Sequence, residues 1–431
     1  MRVAFKTFGC RLNQAETERF AAGFAAAGWQ VVSWGTPADV AVIHGCAVTG
    51  TAEQECLRLA RGVKRHAQQA GVPEPFVVLV GCVVEAAANR GPVPGVDLLV
   101  PRRDKERLAA IVFASLGGTP SGSSGPCELL ERDDGHPRPS HRVRALLKVQ
   151  DGCDFFCSYC IVPHLRGAPV SRPWHLVLDE ARALAQAGCA EIVVTGCNVA
   201  CYRDGARGLA DLVAAIAALD EVQRIRLSSI EPATAERAIV DLMAACPKLC
   251  RYLHLPLQSG DAEMLRRMRR RYTPEAFAET VRHAAARIPD LGLGTDVITG
   301  FPGETDAAFD RTRELLAGLP FSNLHVFPYS ERPGTPAAGF GEAVPRPVRK
   351  ARAAELIRLR EEKRQAFAQT FVGRPVEVLV ERIGRDGLAR GWTGPYLDCR
   401  VAGIGRAAVG TVVTFTPSRA GQGMLFGAAG A

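Results

Sequence analysis

The chain has 431 residues, 47% hydrophobic and 23% charged, with a formal net charge of +8. This marks a globular protein long enough for two or three domains, and no apolar run approaches the ~18 residues that cross a bilayer. Fourteen cysteines are too few for a disulfide scaffold at this length, so thiols that cluster point instead to metal. The first ten residues read as a strand rather than a signal-peptide core, which predicts a cytoplasmic protein with no membrane partner. The modest basic excess fits a polyanion such as RNA.

The first segment alternates strands and helices. A strand at Val3–Phe8 ends on Gly9-Cys10, one at Val40–Ile43 runs to Gly45-Cys46, and one at Phe76–Val80 ends on Gly81-Cys82. Helices are expected over Asn13–Ala27, Thr49–Ala70 and Asp104–Leu116, with a further strand at Val96–Val100. This βαβ pattern predicts a doubly wound parallel sheet over residues 1–116. The three Gly-Cys pairs recur at a constant spacing of 36 residues, each at the carboxyl end of a parallel strand, where ligands collect. Glycine there lets backbone approach a bulky inorganic core. Three buried apolar thiols are the plainer alternative. The Gly/Ser/Pro-rich stretch 117–140 reads as a linker, and its Cys127 as incidental.

From 141 to 371 strand and helix alternate about six times. Strands are expected at Ala145–Gln150, Glu191–Thr195, Arg224–Ser229, Tyr252–Leu257, Leu293–Thr299 and Leu324–Tyr329. Such repeats suggest a partial six-stranded TIM-like barrel with its chemistry at the carboxyl ends of the strands. Just past the first strand come Cys153, Cys157 and Cys160, spaced C-x3-C-x2-C. Three thiolates can hold three corners of a cubane and leave the fourth iron open for chemistry. A zinc site with His164 as fourth ligand is the alternative. Basic residues gather at Arg266–Arg271, along a helix at Val348–Phe371, and at Arg166 and Arg172 beside the cysteine loop. Beside an active-site mouth such arginines, Arg166, Arg172, Arg267 and Arg270 among them, are expected to grip phosphates. Glu304, after Pro302-Gly303, reads as a residue opening a helix. The tail 372–431, with short strands at Val376–Val380, Tyr396–Val401 and Thr411–Phe415, suggests a small β-barrel of OB type.

The stretch Gln150-Asp151-Gly152-Cys153 through Cys160-Ile161-Val162-Pro163, with Tyr159 before the last cysteine, resembles the radical S-adenosylmethionine (SAM) methylthiotransferases. Thr7–Gln14 and the loops at Cys46 and Cys82 resemble the same family, although His44-Gly45 stands where Asn-Thr is usual. The tail resembles the RNA-binding TRAM domain. The resemblance implies two 4Fe-4S clusters, one on Cys10, Cys46 and Cys82 and one on Cys153, Cys157 and Cys160. It implies SAM held by Tyr159, Gly196, Asn198, Ser229, Glu231, Gln258 and Ile298, with tRNA and a flavodoxin- or ferredoxin-type electron donor as partners. It further implies two SAM molecules per product, one methylating a sulfur and one cleaved to a radical. Thr7–Gln14, Leu227–Pro232 and Leu324–Ser330 look most like the branch acting on threonylcarbamoyladenosine at position 37 of tRNA. The isopentenyladenosine branch and a ribosomal-protein branch stand behind it. A non-catalytic iron–sulfur RNA-binding protein is the alternative of another class. Cys197 and Cys201 stand where the family carries apolar or small residues.

Overall fold

The computed structural model describes residues 1–87, 91–117, 143–232 and 236–429. The expected linker 117–140, with Cys127, lies outside them except for Gly117. Strands β1 (Arg2–Thr7), β2 (Gln30–Val32), β3 (Val40–Gly45), β4 (Phe76–Gly81) and β5 (Leu98–Val100) form one parallel sheet in the order β2-β1-β3-β4-β5. β3 and β4 are buried along almost their whole length because helices cover both faces. Helix α1 (Arg11–Ala26) packs Phe20 and Phe24 onto one face with Trp29 and Phe113, and α2 (Gly50–Gln69) packs Cys56, Leu57 and Ala60 onto the other. The expected helix at Asp104–Leu116 is instead a 3-10 turn, Arg102–Arg107, followed by a short α-helix, Leu108–Ser115. β2 was not anticipated, being three residues on a sheet edge.

The central unit has six parallel strands: β6 (Arg144–Lys148), β9 (Glu191–Thr195), β12 (Arg224–Leu227), β13 (Tyr252–His254), β14 (Gly292–Thr299) and β15 (Asn323–Pro328). The short pairs β7 (Gln150–Asp151) with β8 (Val170–Ser171) and β10 (Arg203–Asp204) with β11 (Arg207–Gly208) lie in its loops. The six form two three-stranded sheets, β12-β9-β6 and β13-β14-β15, joined by an isolated parallel bridge between Ile225 and Leu249. β6 and β15 remain edges, as a partial barrel requires. Period-two alternation splits every strand. Leu147, Ile192, Ile225, Leu253, Leu293 and Leu324 join one core with the surrounding helices. Many of the inner positions are polar, among them Arg144, Glu191, Arg226, Tyr252, His254, Asp296 and His325.

The tail closes into a five-stranded barrel, β16 (Val376–Ile383), β17 (Ala389–Thr393), β18 (Asp398–Ala402), β19 (Val412–Gly421) and β20 (Met424–Ala429), ordered β16-β17-β18-β20-β19. Helix Arg346–Gln369 leads into it. The turn after β17 enters the central unit from below. Arg226 donates to the carbonyls of Thr393 and Gly394, both at 3.0 Å, and its guanidinium lies 4.3 Å over the Tyr396 ring. Gly292 is obligatory at this contact, since a Cβ there would stand 2.1 Å from the Pro395 carbonyl oxygen.

Candidate functional site

Cys10, Cys46 and Cys82 sit at the carboxyl ends of β1, β3 and β4, side by side because those strands are neighbours. Close approach is built into the backbone. Gly9 has φ +99°, and a Cβ on it would fall 2.5 Å from Cys46 Cβ. Burial pushes the Cys46 thiol up to about 11, and neighbouring Cys10 and Cys82 add to the rise. Cys82 is raised by burial too, against Arg166, which donates to its sulfur at 3.2 Å. Buried thiols this hard to ionise suit a group that brings its own positive charge. His44, the departure from the usual pattern, is fully buried, bonded to Thr17 at 2.9 Å and 3.4 Å from Glu16.

The second trio lies on the loop leaving β7. Gly152, φ +74°, admits the Ala168 carbonyl at 2.1 Å from where a Cβ would be, which folds the loop back on itself. Cys153 N donates to Gly167 O at 3.0 Å, Cys160 N to Cys157 O at 2.9 Å, and Ser158 bonds Met268 O and Arg267 O. Burial, with Cys157 and Cys153 nearby, pushes Cys160 up to about 12. His164, the fourth ligand of the zinc alternative, packs edge-on against Phe156.

The loops that carry the trios meet at one interface, with Cys10 exposed at its edge. Ala47 and Cys82 pack with Ile161 and Leu165. Beside them Glu16 of α1 takes Lys105 at 2.6 Å, Lys148 at 2.7 Å and Arg166 at 3.1 Å, and Asp151 takes the same three at 2.7, 2.9 and 2.8 Å. Burial would raise the Glu16 carboxyl, yet Lys148 and Arg166 hold it well below the usual carboxylate range. The three cations outnumber the two carboxylates they share, an excess that would favour a thiolate at Cys82 against its burial. α2 makes a second anchor through the buried pair Glu53–Arg332.

Comparison with known proteins matches residues 147–316 to the radical SAM superfamily and residues 2–92 to an uncharacterized protein family, UPF0004. The threonylcarbamoyladenosine tRNA methylthiotransferase MtaB of Bacillus subtilis is 34% identical over 88% of this chain and 84% of its own length. The chain belongs to the radical SAM methylthiotransferase family. A tRNA-2-methylthio-N(6)-dimethylallyladenosine synthase of Cereibacter sphaeroides, also 34% identical, spans 89% of this chain and 88% of its own. A radical SAM methyltransferase from Kitasatospora setae, TsrM, shares the fold with a TM-score of 0.58 at 16% identity, over 78% of this chain and 76% of that one.

The methylthiotransferase barrel gathers several of the residues expected at SAM. Gln258, with φ +71°, bridges to β14 so that its carbonyl accepts from Ile298 N at 3.0 Å. Tyr159 packs with Ile298 and Met264. Gly196 leaves room for Gln150, whose Oε1 accepts from Asn198 N at 3.0 Å. Asn198 also bonds the Cys153 thiol, and its Oδ1 is buried without a partner. Ser228 Oγ is likewise orphaned, while the anticipated Ser229 is exposed. Orphaned polar atoms beside the second trio fit a polar cofactor there.

The phosphate-gripping expectation needs correction for three arginines. Arg166 is 4% exposed and fully engaged by the interface network. The Arg270 side chain is buried, donating to both Glu231 oxygens at 2.7 and 2.8 Å and to Cys157 Sγ at 3.3 Å. That pairing also orients Glu231. Arg172 bonds Glu180 at 2.6 Å and Lys148 O at 2.8 Å. Only Arg267 lies near the surface, paired with the exposed Glu342. Glu304 does not cap its helix, since Thr305 does; its carboxylate accepts from Gly300 N at 2.7 Å and Arg352 at 2.6 Å. The sequence reading missed the inner-face cluster His254, Asp296 and His325, joined at 2.9 and 3.3 Å. Strict alternation with the leucines of those strands was the available signal.

Proposed function

We propose that this protein adds a methylthio group to carbon 2 of N6-threonylcarbamoyladenosine at position 37 of tRNA, using two 4Fe-4S clusters and two SAM molecules. The observation that carries the reading is the placement of two cysteine trios, from two different parallel sheets, at one interface. An aromatic C–H offers no acidic proton and no leaving group, so acid–base groups cannot open it. A cubane on Cys153, Cys157 and Cys160, with one iron free of protein, supplies one-electron chemistry with SAM.

The chain's own share is placement and exclusion. Gln258, Ile298, Tyr159, Gly196, Asn198 and Glu231 ring the second trio and hold SAM. The Glu16–Lys105–Lys148–Asp151–Arg166 network fixes the first trio in place, so that sulfur can be brought to the target carbon. The C-terminal barrel and Arg267 add contacts to the tRNA, and electrons come from a flavodoxin- or ferredoxin-type donor in the cytoplasm. The relatives named for threonylcarbamoyl and for dimethylallyl substrates are equally identical to this chain, so the substituent must be tested directly. Mass spectrometry of tRNA nucleosides from a deletion strain should show loss of 2-methylthio-threonylcarbamoyladenosine. Retention of that nucleoside, with another methylthio product missing, overturns the substrate. Reconstituted protein that binds tRNA but forms no 5′-deoxyadenosine from SAM and dithionite overturns the enzyme.

A further inference from the structure

Between the first helix, the β6 edge of the barrel and the C-terminal tail lies an open cleft of about 400 Å3, lined by Arg11, Gln14, Arg144, Glu381 and Tyr396, among others. Its cations are not alike. Arg144 is matched by Glu381 at 2.5 Å, and Arg226 beside the cavity by Glu191 at 2.8 Å. Arg11 has no such match. Its guanidinium is held by the Tyr396 hydroxyl at 2.6 Å and lies 5.6 Å from that ring's centre, and no carboxylate among the described residues lies within ion-pair distance. A half-buried guanidinium that faces this cleft without a carboxylate partner is arranged for an anion that comes and goes.

Arg11 directly follows Cys10, so whatever it binds lies beside the sulfur-bearing trio. The chemistry of adenine makes that adjacency informative. Carbon 2 and the N6-bearing carbon flank the same ring nitrogen, so a reader of the N6 substituent must stand a few bond lengths from the sulfur delivered to carbon 2. Next to Tyr396 stands Tyr252, with ring centres 4.9 Å apart. A neutral dimethylallyl group offers the Arg11 guanidinium no acceptor, whereas a carboxylate does.

We infer that Arg11 reads the carboxylate of the N6 substituent, which makes it a specificity-determining residue; the inference rests on the threonylcarbamoyl substrate proposed above. The test uses reconstituted full-length enzyme and anticodon stem-loop RNAs carrying threonylcarbamoyladenosine, its methyl ester or dimethylallyladenosine. Wild type should prefer the free acid over the ester by about 10- to 100-fold in kcat/KM. Arg11→Met should lose that factor on the acid, mostly through KM, and treat acid and ester alike, with iron and sulfide per chain unchanged. Arg11→Lys should recover part of the preference. An equal loss on acid, ester and dimethylallyl RNA makes Arg11 a contact to phosphate and overturns the inference. So does an Arg11→Met enzyme that still prefers the acid. A wild type that turns over only dimethylallyl RNA refutes the substrate itself, a separable outcome.

Discussion

Replacing Arg166 by methionine keeps most of the apolar stem and removes a buried charge with five contacts. These are Glu16 at 3.1 and 3.2 Å, Asp151 at 2.8 Å, Asn13 at 2.7 Å and Cys82 Sγ at 3.2 Å. Lys105 and Lys148 still match Glu16 and Asp151, so no carboxylate is left bare. The cost should therefore fall at the low end for a broken buried pair, about 3 kcal/mol. Asn13 Oδ1 also loses the nearer of its two donors, the other being the Cys10 thiol at 3.8 Å. Cys82 fares worse, because a thiolate there would be the one uncompensated negative charge. Arg166→Met should thus lose the N-terminal cluster while keeping the other, dropping iron from about eight to about four per chain. Denaturant midpoints and iron–sulfide analysis of anaerobically purified protein measure both effects. Arg166→Lys, with the charge but not the fork, should fall between. Full iron and an unchanged midpoint in Arg166→Met would show that the charge count is wrong.

Gly9→Ala places a methyl 2.5 Å from Cys46 Cβ at φ +99°, and should halve the iron content while Gly28→Ala, with open space around it, should not. His164→Ala should retain iron and 5′-deoxyadenosine formation and contain no zinc; loss of metal would restore the zinc alternative. Burial opposes ionisation of Glu191, but Arg226 and Arg224 hold its carboxyl down to about 2 against an ordinary 4.5. A depressed carboxylate contributes stability above its unfolded value, so about 3 kcal/mol should be present at neutral pH and drain away as pH falls from about 4.5 towards 2. Comparing the pH dependence of wild type with Glu191→Gln isolates that share; identical slopes would refute it.

What could be read from the sequence was local and periodic. The three Gly-Cys pairs, the C-x3-C-x2-C loop and the alternation of strand and helix all declare themselves within a few residues or at a fixed spacing. Arginines were misjudged because charge is visible in a sequence and burial is not. Arg166 and Arg270 look like Arg267 until their partners, Glu16 and Glu231, are brought from distant segments. The cavity around Arg11 was illegible for the same reason: its clasp, Tyr396, lies 385 residues away. Glu304 was misread because Thr305, one step on, is the better cap, which frees the carboxylate to clamp Arg352.

The turn that carries Tyr396 into the barrel has a consequence for the tail as a module. It is a stopper as well as an appendage: Thr393, Gly394 and Tyr396 occupy Arg226, and Pro395 occupies the notch at Gly292. Cutting the chain ahead of the tail would unplug the lumen, admit bulk water below the reacting carbon and leave Arg226 exposed. A shortened protein should therefore waste SAM on abortive cleavage, quite apart from any weakened grip on RNA.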